Sequence, residues 1–376
     1  MRKKLNKILI HINSLGKGGA ERVASMLASY FALDGIETIV ATTWQEEEEH
    51  EVHETVRRVH AGLSEKEEGY GRIRKLWLRT ANLRKVVKKE KPDLILSFCV
   101  KANYRAVQAA LGIGIPVVVS VRNDPKVDYV GKAKNIMNHL FLNKASGCVF
   151  QTEEARDFFD EVLQKKSRII SNPVNDKYLH AKRKMPKTKI VFAGRLVEQK
   201  NPFLLVHAFE ELRKKYPSYE LYLYGDNFED ECKNNLIAYL NQPSKEEVKK
   251  KIHFMGISNC LEEEMADAAM FVLPSNYEGM PNALMEAMAL GLPVISTDCP
   301  CGGSKYWINH KENGLLVPVG DRKAMTEAME YYIEHPLEAA KMGEKAKERL
   351  KEAEADNVYH QWKSYLEEVL NGKAAF

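Results

Sequence analysis

The stretch MFVLPSNYEGMPNALMEAMALGLPVIST, residues 270–297, passes from a short apolar run through a Gly/Pro loop into a helix pattern and then a second apolar run. Strand, loop, helix and strand in that order make a βαβ unit, whose parallel strands are covered on both faces and so read as continuous apolar segments. One residue interrupts the helix pattern: Glu286 stands among Ala283, Leu284, Ala287, Met288 and Leu290. Burying a carboxylate is costly unless something answers it, so Glu286 is read as aimed at a ligand, where it accepts hydrogen bonds from vicinal hydroxyls. The first-turn amides after Pro281 lack carbonyl partners and suit an anion. Gly291 is placed to cap the far end. Taken singly, Glu278 also fits a solvated loop and Glu286 a surface helix position.

The same pattern recurs along the whole chain. KILIHI, TIVAT, DLILSF, PVVVSV, GCVFQT and RIIS in the first half, and KIVFAG, ELYLYG, KIHFMG, MFVLP, PVIST and GLLVPV in the second, are short runs separated by helix-length amphipathic stretches. Between the halves, SNPVNDKYLHAKRKMPKTK has two prolines and no apolar period and reads as a linker. The expectation is an α/β protein of two doubly wound, Rossmann-like domains facing a ligand cleft at their strand C-termini, 1–172 and 188–354, joined by 173–187. The last helix, 355–371, places Val358, Tyr359, Trp362, Tyr365, Leu366 and Val369 on one face and is expected to pack back on the first domain.

At 376 residues the chain has room for two cores, and its net charge of +4 is too small to argue for nucleic acid without a motif. The basic N-terminus has too few apolar residues before His11 for a signal segment, and no run is long enough to span a membrane. Six cysteines without a CxxC pair suit a reducing cytoplasm. Cys299 and Cys301 lack the further ligands a metal would need, and no Asp-x-Asp follows a strand, so no metal is expected.

Two further motifs fall at strand ends. LGKGGAERV, after KILIHIN, is a glycine turn opening a helix, suited to a phosphate; the alternative is a tight turn with no ligand. It is not the dinucleotide fingerprint, because Glu21 stands where the third glycine belongs. GRLVEQKNP places Arg195 and Lys200 after a strand and before a helix, where two cations and free amides suit a diphosphate, although such residues are also common as solvated loop charges. Both sit in a loop, so alanine at either is expected to leave the fold intact.

Together, EGMPNALMEAMALGLPVIS with its E-x7-E pair, GRLVEQKNP, GGAERV and SNPV resemble the family 4 glycosyltransferases of the GT-B superfold, which are retaining and use nucleotide-sugars. The resemblance covers nearly the whole chain. It implies that Glu286 holds ribose hydroxyls, that Glu278 and the backbone of Gly279, Met280 and Asn282 face the donor sugar, and that Arg195 and Lys200 carry the diphosphate. The amides of Ala283 and Leu284 and the Gly18–Gly19 turn close around it, while Gly256 and Ile257 read the base. It departs from the family after PVVVSV, where many relatives carry a histidine and this chain has Arg122 and Asn123. No side-chain base is therefore expected. Lys101 and Asn103 are candidates for the acceptor side, with ordinary loop roles as the alternative.

The expected activity is transfer of a hexose or N-acetylhexosamine from a nucleotide-sugar, UDP by family frequency, to a glycan or polyprenyl-diphosphate-linked acceptor, without cofactor. A nucleotide-sugar 2-epimerase shares the architecture, and a sugar-binding protein of two α/β domains would need an export signal. Segment 72–91, RIRKLWLRTANLRKVVKKEK, alternates cations with Ile73, Leu76, Trp77, Leu83, Val86 and Val87. It suits either an anionic membrane surface on the cytoplasmic side or packing on the first domain.

Overall fold

A computed structural model describes residues 3–225 and 231–372 of the chain. Its contacts divide into two units, one running through Asn172 and resuming at Asp356, the other spanning Pro173–Ala355.

The first unit is built on seven parallel strands: β1 Lys7–Ile12, β2 Glu37–Thr42, β3 Arg57–His60, β4 Leu94–Phe98, β5 Val117–Ser120, β6 Gly147–Phe150 and β7 Ser167–Ile169. They lie in the order β3-β2-β1-β4-β5-β6-β7, so the winding reverses between β1 and β4. There Ile10 is opposite Val40 on one side and Leu96 on the other. β1, β2, β4, β5 and β6 are buried along all or nearly all of their length and could be read from their apolar runs. β3 could not, because RRVH holds a single aliphatic residue and is mostly exposed. Its backbone ladder to β2 runs from Ile39 opposite Arg57 to Thr42 opposite His60, and its charges find partners beside it: Arg57 Nη1 donates to Glu90 Oε1 at 3.0 Å. On one face, Ile8, Ile10, Leu96 and Phe98 share a core with Trp362 and Tyr365 of the last helix, Ala355–Leu370. Tyr365 fixes that helix to the β6 end, its hydroxyl accepting from Cys148 N at 2.8 Å.

The second unit has six parallel strands: β8 Lys189–Ala193, β9 Glu220–Tyr224, β10 Ile252–Gly256, β11 Met270–Leu273, β12 Val294–Thr297 and β13 Leu315–Val317. Their order is β10-β9-β8-β11-β12-β13, and the winding reverses between β8 and β11. β11, helix Asn282–Ala289 and β12 are the βαβ unit of the opening stretch, and the helix is buried from Leu284 to Ala289. Residues 173–187 are more than a connecting thread. They include helix Asp176–His180, Tyr178 is buried in this core, and Lys184 N and Lys187 N donate to Ala266 O and Asp267 O. Five helical residues are too few to leave a period in the sequence.

In doubly wound sheets, ligands bind beyond the strand carboxyl ends at the reversal point. Each unit therefore offers one such place, at β1/β4 and at β8/β11.

Candidate functional site

At the β8/β11 reversal, two loops are knitted into one surface. After β8 the chain passes Gly194 and the exposed Arg195, makes a single turn at Glu198–Lys200, and enters helix Pro202–Lys215 through Asn201. Asn201 sits in the left-handed region, with φ of 46°, and caps the helix by accepting from Leu204 N at 3.1 Å. After β11, Ser275 to Glu278 run alongside. Asn276 joins the two loops three ways: its N donates to Gln199 O at 2.8 Å, its Nδ2 to Glu198 O at 2.8 Å, and its Oδ1 accepts from Asn201 Nδ2 at 2.9 Å. Gln199 Nε2 adds a bond to Tyr277 O at 3.1 Å.

Lys200 and Glu278, expected to meet different parts of a ligand, meet each other. Lys200 Nζ lies 2.5 Å from Glu278 Oε1, and their side chains are 15% and 6% exposed. Ser275 Oγ donates to the same oxygen at 2.5 Å, and Thr297 Oγ1 supports Ser275 through its carbonyl at 2.6 Å. The carboxylate is thus held by a cation and a hydroxyl while its second oxygen, Oε2, makes neither bond. Cys299 lies behind, its Sγ 3.4 Å from Ser275 O. Burial, with the charge of Glu278 adding to it, pushes its thiol up to about 12, so it stays protonated and inert. Arg195 makes one long bond, 3.4 Å to Gln199 Oε1. It is the freer of the two cations.

The loop then turns through Gly279 and Met280 into helix Asn282–Ala289, capped only by the backbone of Pro281. Its position is fixed from below. Trp307 Nε1 donates to Met280 Sδ at 2.9 Å, and a Cβ on Gly303 would stand 1.8 Å from Gly279 O, so only glycine permits this approach. Asn282 and Ala283 are half-buried at the helix start, while Leu284 is fully buried, so their amides and not the Leu284 side chain are what a ligand could meet. Glu286 is 8% exposed within the helix, as the interrupted pattern predicts. β8, β9 and β10 all end against glycines. Gly225, at φ of 114°, allows no Cβ because one would fall 2.2 Å from Gly194 O, and Gly225 N donates to Gly256 O at 2.7 Å. Beyond Gly256, Ile257 is 74% exposed.

In the first unit, the glycine turn follows β1 as expected, and helix Gly19–Leu33 begins with Gly18 as its N-cap. Its surroundings carry both charges. Glu21 stands in the first helical turn next to Arg22, and Glu49 accepts from Leu15 N at 3.3 Å through Oε1 while its Oε2 pairs with Arg58 at 2.9 Å. Of the acceptor-side candidates, Lys101 is exposed in the first turn of helix Val100–Ala110. Asn103 is fully buried and presents nothing to solvent; its Nδ2 holds Ser120 O at 2.8 Å and Tyr129 Oη at 3.0 Å. Arg122 is a brace: it donates to Asn172 Oδ1 and lies over the Phe98 ring, and burial lowers its pKa to about 10. Asn123 is half-buried beside it. The serine, glutamine and asparagine that organise the β8/β11 loops left no sequence signal, because loop polar residues have no period.

The residues that build these loops fall within regions matched by family models. Residues 17–178 match the model described as Glycosyltransferase Family 4, and residues 176–349 match the one described as Glycosyl transferases group 1. The chain is 28% identical over 257 residues to an uncharacterized glycosyltransferase of Methanocaldococcus jannaschii, covering 61% of each. It is 24% identical over 396 residues to the Campylobacter jejuni GalNAc-alpha-(1->4)-GalNAc-alpha-(1->3)-diNAcBac-PP-undecaprenol alpha-1,4-N-acetyl-D-galactosaminyltransferase, covering 97% of this chain and 99% of that one. Against the M. jannaschii protein and an uncharacterized glycosyltransferase of Haemophilus influenzae, the chain spans 61% and 64% of their lengths. Among solved structures, Anabaena HepE in complex with UDP superposes with a TM-score of 0.78 at 18% identity, covering 96% of this chain and 99% of that one. That likeness is one of fold.

Proposed function

Because the chain belongs to the family 4 glycosyltransferases, with their GT-B fold, we propose that it moves a hexose or N-acetylhexosamine from a nucleotide-sugar to a hydroxyl of a glycan acceptor, with retention of configuration. The observation that carries this reading is the β8/β11 surface, where Arg195, the Lys200–Glu278 pair and a helix start without a side-chain cap converge on one loop pair. Two cations and the first-turn amides of a helix match a diphosphate. Glu278 faces the sugar beside it, Glu286 the ribose, and Gly256 with Ile257 the base. UDP is the preferred nucleotide, a choice supported by the UDP-bound Anabaena structure.

In the step we write, the C–O bond to the leaving diphosphate breaks as the acceptor hydroxyl forms its new bond on the same face. The acceptor proton passes to the leaving phosphate oxygen, so no side-chain base is required. Arg195 and Lys200 stabilise the charge that develops. We assign this role to the cations alone, without metal. Assayed with a panel of UDP- and GDP-sugars and acceptor glycans in excess EDTA, the protein should release nucleotide in proportion to glycosylated product at its full rate. Loss of activity that magnesium restores would refute the metal-free step, and acceptor-free conversion of the sugar would favour the 2-epimerase reading instead. Glu286→Gln should weaken UDP binding by about tenfold, the equivalent of one lost charge-assisted bond. Calorimetry showing unchanged affinity would remove Glu286 from the ribose.

For the acceptor we propose a lipid-linked or envelope glycan, supported by the undecaprenol-linked substrate in the name of the C. jejuni relative. Among the described residues no helix is long and apolar enough to cross a membrane, and we propose a cytoplasmic protein that touches the membrane surface. The helix Arg72–Glu90 divides this role between its halves. Leu83 and Val87 are buried, and Arg84 Nη1 donates to Ala109 O and Leu111 O at 2.8 and 2.6 Å, so the second half packs on the unit and Arg84 is no lipid anchor. In the first half, Ile73, Leu76 and Trp77 are 86%, 64% and 70% exposed beside Arg72, Arg74 and Lys75. On phosphatidylglycerol vesicles, serine at those three positions should cut co-sedimentation tenfold or more, since each buried side chain contributes about 1.5 to 3 kcal/mol. Binding that ignores both the substitutions and salt would exclude this helix.

A further inference from the structure

The reversal point of the first sheet, between β1 and β4, holds a buried cation that the reading above does not use. Arg105, on helix Val100–Ala110, is 7% exposed, and among the described residues no carboxylate pairs with it. Among the described residues its hydrogen bonds leave from Nη1: 2.7 Å to Thr43 Oγ1, 3.2 Å to Asn13 Oδ1 and 3.2 Å to His11 Nε2. His11 is itself fully buried, with Nδ1 2.8 Å from Ala41 O. The carbonyl can only accept, so the proton is on Nδ1 and Nε2 accepts from the guanidinium.

One side of the guanidinium is therefore fixed to the ends of β1 and β2, and among the described residues the fork formed by Nε and Nη2 makes no hydrogen bond. That fork matches the two oxygens of a carboxylate or phosphate. Among the described residues the charge that acts on it is that of Arg79, another cation. A brace between loops needs no charge, and burying one without a counter-ion is costly. Here it is buried where doubly wound sheets receive their ligands.

We propose that Arg105, positioned by His11, Asn13 and Thr43, binds an oxyanion of the acceptor, a phosphate or a carboxylate, in the first unit. The word acceptor rests on the glycosyl-transfer reading; the oxyanion site does not. The chain's four tryptophans allow both to be followed in one sample of the full-length protein labelled with 5-fluorotryptophan. Trp44 adjoins Thr43, and its N donates to Asn13 O at 3.0 Å, so it reports on this site, while Trp307 and Trp362 are buried core reporters. UDP is added first to saturation, then inorganic phosphate, pyrophosphate or methyl glucuronide. The Trp44 fluorine resonance should move saturably with at least one anion, about tenfold more weakly in Arg105→Lys and not at all in Arg105→Gln, the bidentate contact being worth at least one factor of ten. A response to the phosphates alone identifies a phosphate-bearing acceptor, and one to the glucuronide a uronate. No saturable movement with any probe, or equal movement in Arg105→Gln, overturns the proposal. If Trp362 shows that Arg105→Gln has not folded, undiminished affinity in Arg105→Lys overturns it. Failure to bind UDP at the first addition counts against the donor reading alone.

Discussion

In Lys200→Ala, turnover falls by about 10²-fold or more and the second unit loses about 3 kcal/mol of stability. The first effect follows from removing a charge placed to stabilise the leaving diphosphate. The second follows from the 2.5 Å pair with Glu278: deleting the lysine leaves a carboxylate of 6% exposure with only the Ser275 hydroxyl to answer it. This revises the expectation that a loop residue can be truncated without effect on the fold, because Lys200 is in a loop but its partner is buried. The two effects separate in a double variant. Lys200→Met with Glu278→Gln removes both charges from a buried site, so urea unfolding should return close to wild type while turnover stays low. Near-normal turnover in Lys200→Ala would remove the lysine from the diphosphate site; an unchanged unfolding midpoint would show that the ion pair contributes nothing.

Mild acid selectively weakens the first unit through His11. Burial, with the charge of Arg105 adding to it, lowers the His11 pKa to about 3, against about 6.5 in the unfolded chain. The folded state therefore keeps the imidazole neutral while the unfolded state takes up a proton as pH falls through 6.5. Its contribution is fully present above pH 6.5 and is lost between 6.5 and 3, at about 1.4 kcal/mol per pH unit, or about 3 kcal/mol by pH 4.5. Other groups add to the slope. Half-buried His50 is lowered in the same direction, chiefly by burial, and Glu37 and Glu90 are held low by Lys7 and Arg57, so their contributions are lost at still lower pH. The comparison with His11→Gln isolates the histidine, since glutamine can still accept from Arg105 but does not titrate. Unfolding free energies at pH 7.5 and 4.5 should differ by about 3 kcal/mol more in the wild type than in the variant. Equal pH dependence would contradict the neutral, buried imidazole.

What the sequence disclosed and what it withheld follow one physical division. Strands buried on both faces announce themselves because most residues in them are apolar, and Glu286 was legible as an interruption of such a surface. β3 was not, because Arg57 and Arg58 stand in it and pair with acidic residues instead of facing a core. Arg84 read as one cation of a basic face, yet it caps the carbonyls at the end of the neighbouring helix. The contacts that matter most lie far apart in the chain. Lys200 and Glu278 are separated by 78 positions, and Arg105 and His11 by 94. Periodicity describes what faces a core, but it does not pair two polar residues across a sheet.

On the proposed function, the β8/β11 surface of the second unit receives a nucleoside diphosphate through Arg195 and its neighbours. Arg195 is the sharpest probe of it, being exposed and bonded only weakly to Gln199, so that Arg195→Ala alters the ligand contact without disturbing the packing. Titration calorimetry with UDP on the wild type and on Arg195→Ala tests the claim directly. The account predicts one saturable site in the wild type and at least tenfold weaker binding in the variant, with unchanged unfolding; equal affinity in the two proteins, or no binding of UDP or GDP by the wild type, would contradict it.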